Sequence, residues 1–186
     1  MQHAGREVEI KLRVSGAAAA RRMLRAAGFR VVKRRIFERN TVFDTGRRTL
    51  RNSSRLLRVR EAGKTTTLTY KGPPDRGKHK SREELELELS DAAAIAAILD
   101  RLAYHPAFRY EKFRTEFGEP VSCGVATIDE TPIGVYLELE GEPSWIDSTA
   151  RKLGFSETDY ITASYARLYV EWCKAQGIAP ADMLFA

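Results

Sequence analysis

The segment Glu7-Val8-Glu9-Ile10-Lys11-Leu12-Arg13-Val14 alternates strictly between ionisable and apolar residues. Successive side chains of an extended strand point to opposite faces, so this period of two gives a strand with one charged and one apolar face. The pattern returns along the chain. Glu84, Glu86 and Glu88 alternate with Leu85, Leu87 and Leu89, and Leu57-Arg58-Val59-Arg60, Lys112-Phe113-Arg114, Ile128-Asp129 and Leu137-Glu138-Leu139-Glu140 repeat it. Lys71 and Arg82 fall on the same charged faces. Threonine, serine or glutamine would serve a solvated face equally well. Nearly every position of this set is instead ionisable, and that narrows what the chain can fold into.

The segments between these strands supply the remaining elements. Residues 17–27 are alanine-rich and end at Gly28, which predicts a helix with a glycine stop. Residues 29–44 read as a long or broken strand, and 47–55 as a basic loop. Strands over 55–60 and 65–71 form a hairpin about Glu61-Ala62-Gly63-Lys64. Residues 72–80, rich in proline, glycine and charge, read as a mobile solvated loop, with closure of Arg76, Lys78 and Lys80 on a phosphate as the alternative. Ser90 or Asp91 caps a helix over 92–102. Strands follow over 107–117, 121–129 and 135–140, then helices over 144–153 and 162–175. The expected fold is α+β. Its strands follow one another mostly through hairpins, hence an antiparallel sheet, and eight of them can close into a barrel. With no repeat and no linker, residues 1–186 are expected to form one domain.

Helices can pack only on the apolar strand faces, so those faces lie outside and the charged faces meet across a lumen. Such a lumen is costly unless its charges are paired or liganded. Clustered carboxylates call for a hard divalent cation, Mg²⁺ or Mn²⁺. Confined lysines and arginines call for phosphate oxygens. A metal-bound polyphosphate or nucleoside triphosphate meets both demands, and the net charge of +6 agrees with an anionic ligand. No apolar run approaches the ~20 residues that cross a bilayer, and no signal peptide opens the chain, so a cytoplasmic location without membrane contact is expected. Cys123 and Cys173 lack metal-ligand spacing and read as reduced thiols.

Glu7-x-Glu9-x-Lys11 resembles the ExExK signature of the CYTH superfamily, the triphosphate tunnel metalloenzymes. The resemblance continues in family order through Asn40-Thr41-Val42-Phe43-Asp44-Thr45, Leu57-Arg58-Val59-Arg60, Leu68-Thr69-Tyr70-Lys71-Gly72, Arg82-x-Glu84-x-Glu86, Lys112-Phe113-Arg114, Ile128-Asp129 and Leu137-Glu138-Leu139-Glu140-Gly141. It implies an eight-stranded antiparallel tunnel with helices packed outside. It implies metal carboxylates at Glu7, Glu9, Asp129, Glu138 and Glu140. It implies phosphate contacts from Lys11, Arg58, Arg60, Lys71, Arg82, Lys112 and Arg114. Arg13, Glu84 and Glu86 would be further tunnel wall, and Lys11, Glu9 and Glu138 the groups nearest the chemistry.

The family contains hydrolases of inorganic triphosphate, thiamine triphosphate or nucleoside triphosphates, and adenylyl cyclases that make cyclic AMP and pyrophosphate from ATP. The cyclase signature includes a His-Phe pair, whereas His3 here precedes Ala4. No base-recognition signature is found, so triphosphate hydrolysis is the expected activity and cyclisation the alternative. A non-catalytic polyphosphate or nucleotide sensor would tolerate loss of the carboxylates, and all five are present. Nucleic-acid binding through the basic stretches 30–39 and 47–60 is not expected, because half of those cations alternate into the lumen. A homodimer is compatible with the sequence. His79 and His105 read as solvated, and Tyr104, Tyr110, Tyr160, Tyr165 and Tyr169 as helix-packing residues.

Overall fold

A computed structural model describes residues 3–119 and 124–186, with side chains from residue 5 onward. Eight strands close into an antiparallel barrel in the order β1-β5-β4-β3-β2-β6-β7-β8. They are β1 (His3–Val14), β2 (Arg30–Asp44), β3 (Leu56–Ala62), β4 (Thr65–Lys71), β5 (Lys80–Leu89), β6 (His105–Gly118), β7 (Val125–Thr131) and β8 (Gly134–Glu140). Five helices accompany them: α1 (Ala17–Ala26), α2 (Thr49–Asn52), α3 (Ala92–Arg101), α4 (Pro143–Lys152) and α5 (Tyr165–Gln176). The start of the strand expected over 121–129, the preceding Pro120 and Cys123 lie outside the described residues.

The register explains why the charges share one side. Glu7 pairs with Arg82 and Glu9 with Lys80 across β1 and β5, and Glu9 pairs with Glu140 and Lys11 with Glu138 across β1 and β8. Glu38 stands opposite Lys112, Arg114 opposite Asp129, and Lys71 opposite Glu84. Directly opposed residues in a ladder project to the same face. A single face therefore carries the ionisable set around the ring.

The apolar side packs outward. Ile10, Leu12, Ile128, Leu137 and Leu139 form a core with Leu24 of α1 and Ile146 of α4. Leu99 of α3 packs with Phe43 and Val59. The helical coat is incomplete, however: Leu85 and Leu87 on the outer face of β5 are 41% and 43% exposed. The expectation that every apolar strand face lies beneath a helix fails there.

Local chemistry sets the boundaries. Gly28, at φ +91°, ends α1 in the left-handed region that glycine adopts without strain. Asp91, rather than Ser90, caps α3 by accepting from the amides of Ala93 and Ala94, both at 2.9 Å. The loop expected over 47–55 contains α2, because the Asp44 carboxylate accepts from the amides of Leu50 and Arg51. α5 starts at Tyr165, later than expected. Ile161 is held against Lys11 of β1 by two backbone hydrogen bonds of 2.9 Å, and the Ser164 hydroxyl caps the helix. Lys80 belongs to β5 and not to the preceding loop.

Candidate active site

β1 places Glu7, Glu9 and Lys11 in the lumen, all three buried. Glu7 accepts from Lys71 and from Arg82 Nε, the latter at 3.0 Å. Lys71 also reaches Glu84 at 2.9 Å. Glu9 holds Lys80 and accepts from Lys11 at 3.0 Å, while Lys11 lies 3.1 Å from Glu138. Glu138 also engages Arg114. Asp129, with no exposed surface, accepts from Lys112 at 2.7 Å, from Arg114 at 2.7 Å through both oxygens, and from the Tyr165 hydroxyl at 2.8 Å.

These pairings divide the carboxylates into two kinds. Against the penalty of burial, Lys11, Lys80 and Lys71 hold Glu9 well below the usual carboxylate range. Against the same penalty, Arg114 and Lys112 hold Asp129 down, and Lys11 and Arg114 lower Glu138. Glu84 and Glu140 behave oppositely. Burial, followed by the charges of Glu7 and Glu9, pushes Glu140 up to about 7, although its side chain opens to solvent at the tunnel mouth. Burial and the Glu7 charge also raise Glu84. One oxygen from each of Glu7, Glu84 and Glu140 lies within 4.8 Å of the others. Three converging carboxylates, two of them reluctant to ionise, share only the cations Lys71 and Arg82, and an oxygen-seeking divalent cation fits the remaining deficit.

Glu140 makes a pH prediction. Its folded value lies above the ordinary carboxylate value of about 4.3. The folded protein therefore holds the extra proton, so this stability is full below the unfolded value and is lost as pH rises through about 7. In metal-free protein Tm should fall between pH 5 and pH 8, and Glu140→Gln should flatten that fall, as read by thermal denaturation.

Of the expected metal set, Glu7 and Glu140 come together, and Glu84, assigned from sequence to the tunnel wall, joins them. Glu9, Glu138 and Asp129 line the lumen in contact with lysine and arginine. All the expected phosphate contacts face inward. Arg58 donates to the Tyr110 hydroxyl at 3.2 Å and to Thr69 at 3.1 Å, and Arg60 lies 3.8 Å from Glu38. Glu86 lies 3.6 Å from Arg58. Arg13 is exposed at the barrel end, against the Tyr136 ring.

Several residues were not assigned to the lumen from sequence. Glu38 is buried, 3.5 Å from Lys112, and its carboxyl is lowered to about 2, where Lys112 and then Arg114 outweigh burial. Asn40 has no exposed surface. Lys80 is brought down to about 8 by burial and by its cationic neighbours Lys11 and Arg82. Tyr110 and Tyr165, expected only to pack helices, send their hydroxyls to Arg58 and Asp129, and Lys11 and Lys112 lie over the Tyr165 ring. The Lys80 signal was its spacing of two from Arg82, masked by the composition of the loop before it. The His79 expectation is also corrected. Its Nε2 lies 2.7 Å from Asp147, which Lys78 and Tyr160 also contact, so the loop is pinned to α4.

A model of the CYTH domain family matches residues 5–165. A Methanocaldococcus jannaschii protein named as a candidate adenylate cyclase is 27% identical over 172 residues, 87% of this chain and 97% of that one. A Vibrio parahaemolyticus structure described as a candidate adenylate cyclase superposes with a TM-score of 0.77 at 22% identity, covering 89% of this chain and 98% of that one. A Hippeastrum structure, described as a candidate adenylyl cyclase with a dominant triphosphatase activity, gives a TM-score of 0.62 at 18% identity, covering 94% and 97%.

Proposed function

This chain belongs to the CYTH domain family, and from that premise we propose that it is a divalent-metal-dependent triphosphatase acting on inorganic triphosphate or an organic triphosphate. The observation that carries this reading is the division of one lumen into two chemistries. Glu7, Glu84 and Glu140 converge without sufficient positive charge. Lys71 and Arg82 border that cluster, and Lys11, Lys80, Lys112, Arg114, Arg58 and Arg60 line the remainder.

Phosphoryl transfer depends mainly on positioning and on neutralising charge. Bound at the three carboxylates, Mg²⁺ or Mn²⁺ would neutralise phosphate oxygens and polarise the phosphorus toward attack. Lys11, gripped by Glu9 and Glu138, keeps its charge and is placed to hold a phosphate oxygen. Asp129 fixes Lys112 and Arg114 so that their remaining donors are preorganised, which lowers the cost of ordering them when the anion binds. Lys80, held by Glu9 in the same lumen and lowered to about 8, can release a proton near neutral pH.

The cyclase reading is kept because relatives at similar length carry that name. It requires the ribose hydroxyl to attack the α-phosphorus. Incubation with ATP and Mg²⁺ or Mn²⁺, with products separated by anion exchange, tests the choice. Orthophosphate that disappears with EDTA supports hydrolysis. Cyclic AMP with pyrophosphate would replace the hydrolase reading with the cyclase.

A further inference from the structure

β2 stands opposite β1 in the ring of eight strands, so its inward residues face Glu9 and Lys11 across the lumen. Among them, Asn40 is 0% exposed, and neither its Oδ1 nor its Nδ2 has a hydrogen-bond partner among the described residues. A buried carboxamide left this way carries an uncompensated desolvation penalty, so in use it is expected to meet a partner. Its ladder neighbours are Arg60 on β3 and Tyr110 on β6. The Nε of Arg60 and the Nε of buried Arg58 are also without hydrogen bonds.

Three unused N–H donors, from Asn40, Arg58 and Arg60, therefore line adjacent strands of one wall. The orphaned acceptors nearby are Asn40 Oδ1 and Glu38 Oε2, and the latter already lies at ion-pair distance from Lys112 and Arg60. A wall with this excess of donors suits a ligand made of acceptors. The converging carboxylates Glu7, Glu84 and Glu140 sit on β1, β5 and β8, away from β2.

We infer that Asn40 is a substrate-binding residue whose carboxamide donates to a phosphoryl oxygen of the triphosphate, at the end of the ligand remote from the metal carboxylates. The inference rests on the triphosphate reading above and gives the bound ligand a polarity. A metal held by Glu7, Glu84 and Glu140 would place its end of the ligand toward β1, β5 and β8, and the far phosphate on the Asn40, Arg58 and Arg60 wall. Because Asn40 is neutral, both guanidiniums keep their charge for the ligand. An aspartate at the same position would offset one of those two charges.

Asn40→Asp is nearly isosteric and separates binding from folding. Titration calorimetry with inorganic triphosphate and Mg²⁺ should show affinity weakened about tenfold or more, the loss of one charge-assisted donor. The metal-free Tm should hold or rise, because the new carboxylate meets Arg58 and Arg60. Asn40→Ser removes the carboxamide without adding charge and should weaken affinity several-fold, which keeps the test open if the aspartate variant does not fold. Wild-type affinity in a folded variant, with only Tm altered, would make Asn40 a structural residue and overturn the inference. Absence of triphosphate binding by the wild-type protein would instead overturn the triphosphate reading on which it rests.

Discussion

Glu7→Gln should lower metal-dependent triphosphate turnover by about a thousandfold, the loss expected when several kcal/mol of metal-supplied charge stabilisation disappears. Glu7 joins both halves of the site. It shares the carboxylate cluster with Glu84 and Glu140, and it is the counterion of Lys71 and Arg82. Glutamine preserves shape and one acceptor oxygen, so the barrel should remain folded. The loss should appear as a requirement for far higher Mg²⁺ together with a lower limiting rate. Circular dichroism and Tm measured alongside would establish that the variant is folded. Glu83→Gln is the matched control, because that exposed residue lies on the opposite face of the neighbouring strand and should leave turnover unchanged.

Asp129→Ala should produce the largest loss of stability, about 3–5 kcal/mol, by leaving buried cations without their counterion. The carboxylate is fully buried and accepts from Lys112, from two nitrogens of Arg114 and from the Tyr165 hydroxyl. A domain of this size is commonly stable by only about 5–15 kcal/mol, so the variant approaches unfolding. Urea denaturation reads the effect directly. Tyr165→Phe removes a single hydroxyl donor and should cost much less. The same carboxylates set the acid limit of the wild-type protein. Cationic neighbours hold both Asp129 and Glu38 below their unfolded values. Their contribution is present above about pH 4, the ordinary carboxylate value, and is lost as pH falls through the folded values. Stability should therefore decline steeply from about pH 4 downward. The Glu140 effect has the opposite sign and belongs to the neutral range.

Alternation alone revealed most of the barrel, because register and period act together. A one-residue slip would have turned every charge outward. β1, β5, β7 and β8 were legible for that reason, and so were Glu7, Glu9, Lys11, Arg82, Asp129, Glu138 and Glu140. β2 was harder. Residues 33–35 are Lys-Arg-Arg in succession, and the ladder to β6 shifts register between Val31 and Ile36, so the period of two dissolves before Glu38 and Asn40. Those two residues declare themselves only through the strands beside them. Lys80 was hidden by its neighbours, since proline, glycine and charge suggest a loop up to the residue where the strand begins. The hydroxyls of Tyr110 and Tyr165 reach lumen groups from β6 and α5, a tertiary fact that local pattern does not encode. Sequence also grouped the acids by motif, whereas space grouped Glu84 with Glu7 and Glu140, because β5 lies beside β1 and its Glu84 stands opposite Lys71 of β4.

We propose that this barrel binds a triphosphate and cleaves it with a divalent metal. Phosphorus NMR of inorganic triphosphate mixed with the purified protein tests it in one tube. With Mg²⁺ or Mn²⁺ the triphosphate resonances should give way to orthophosphate and pyrophosphate in equal amounts, and EDTA should stop the conversion. Triphosphate resonances that neither shift nor decay, with metal present and the protein folded, would contradict the account.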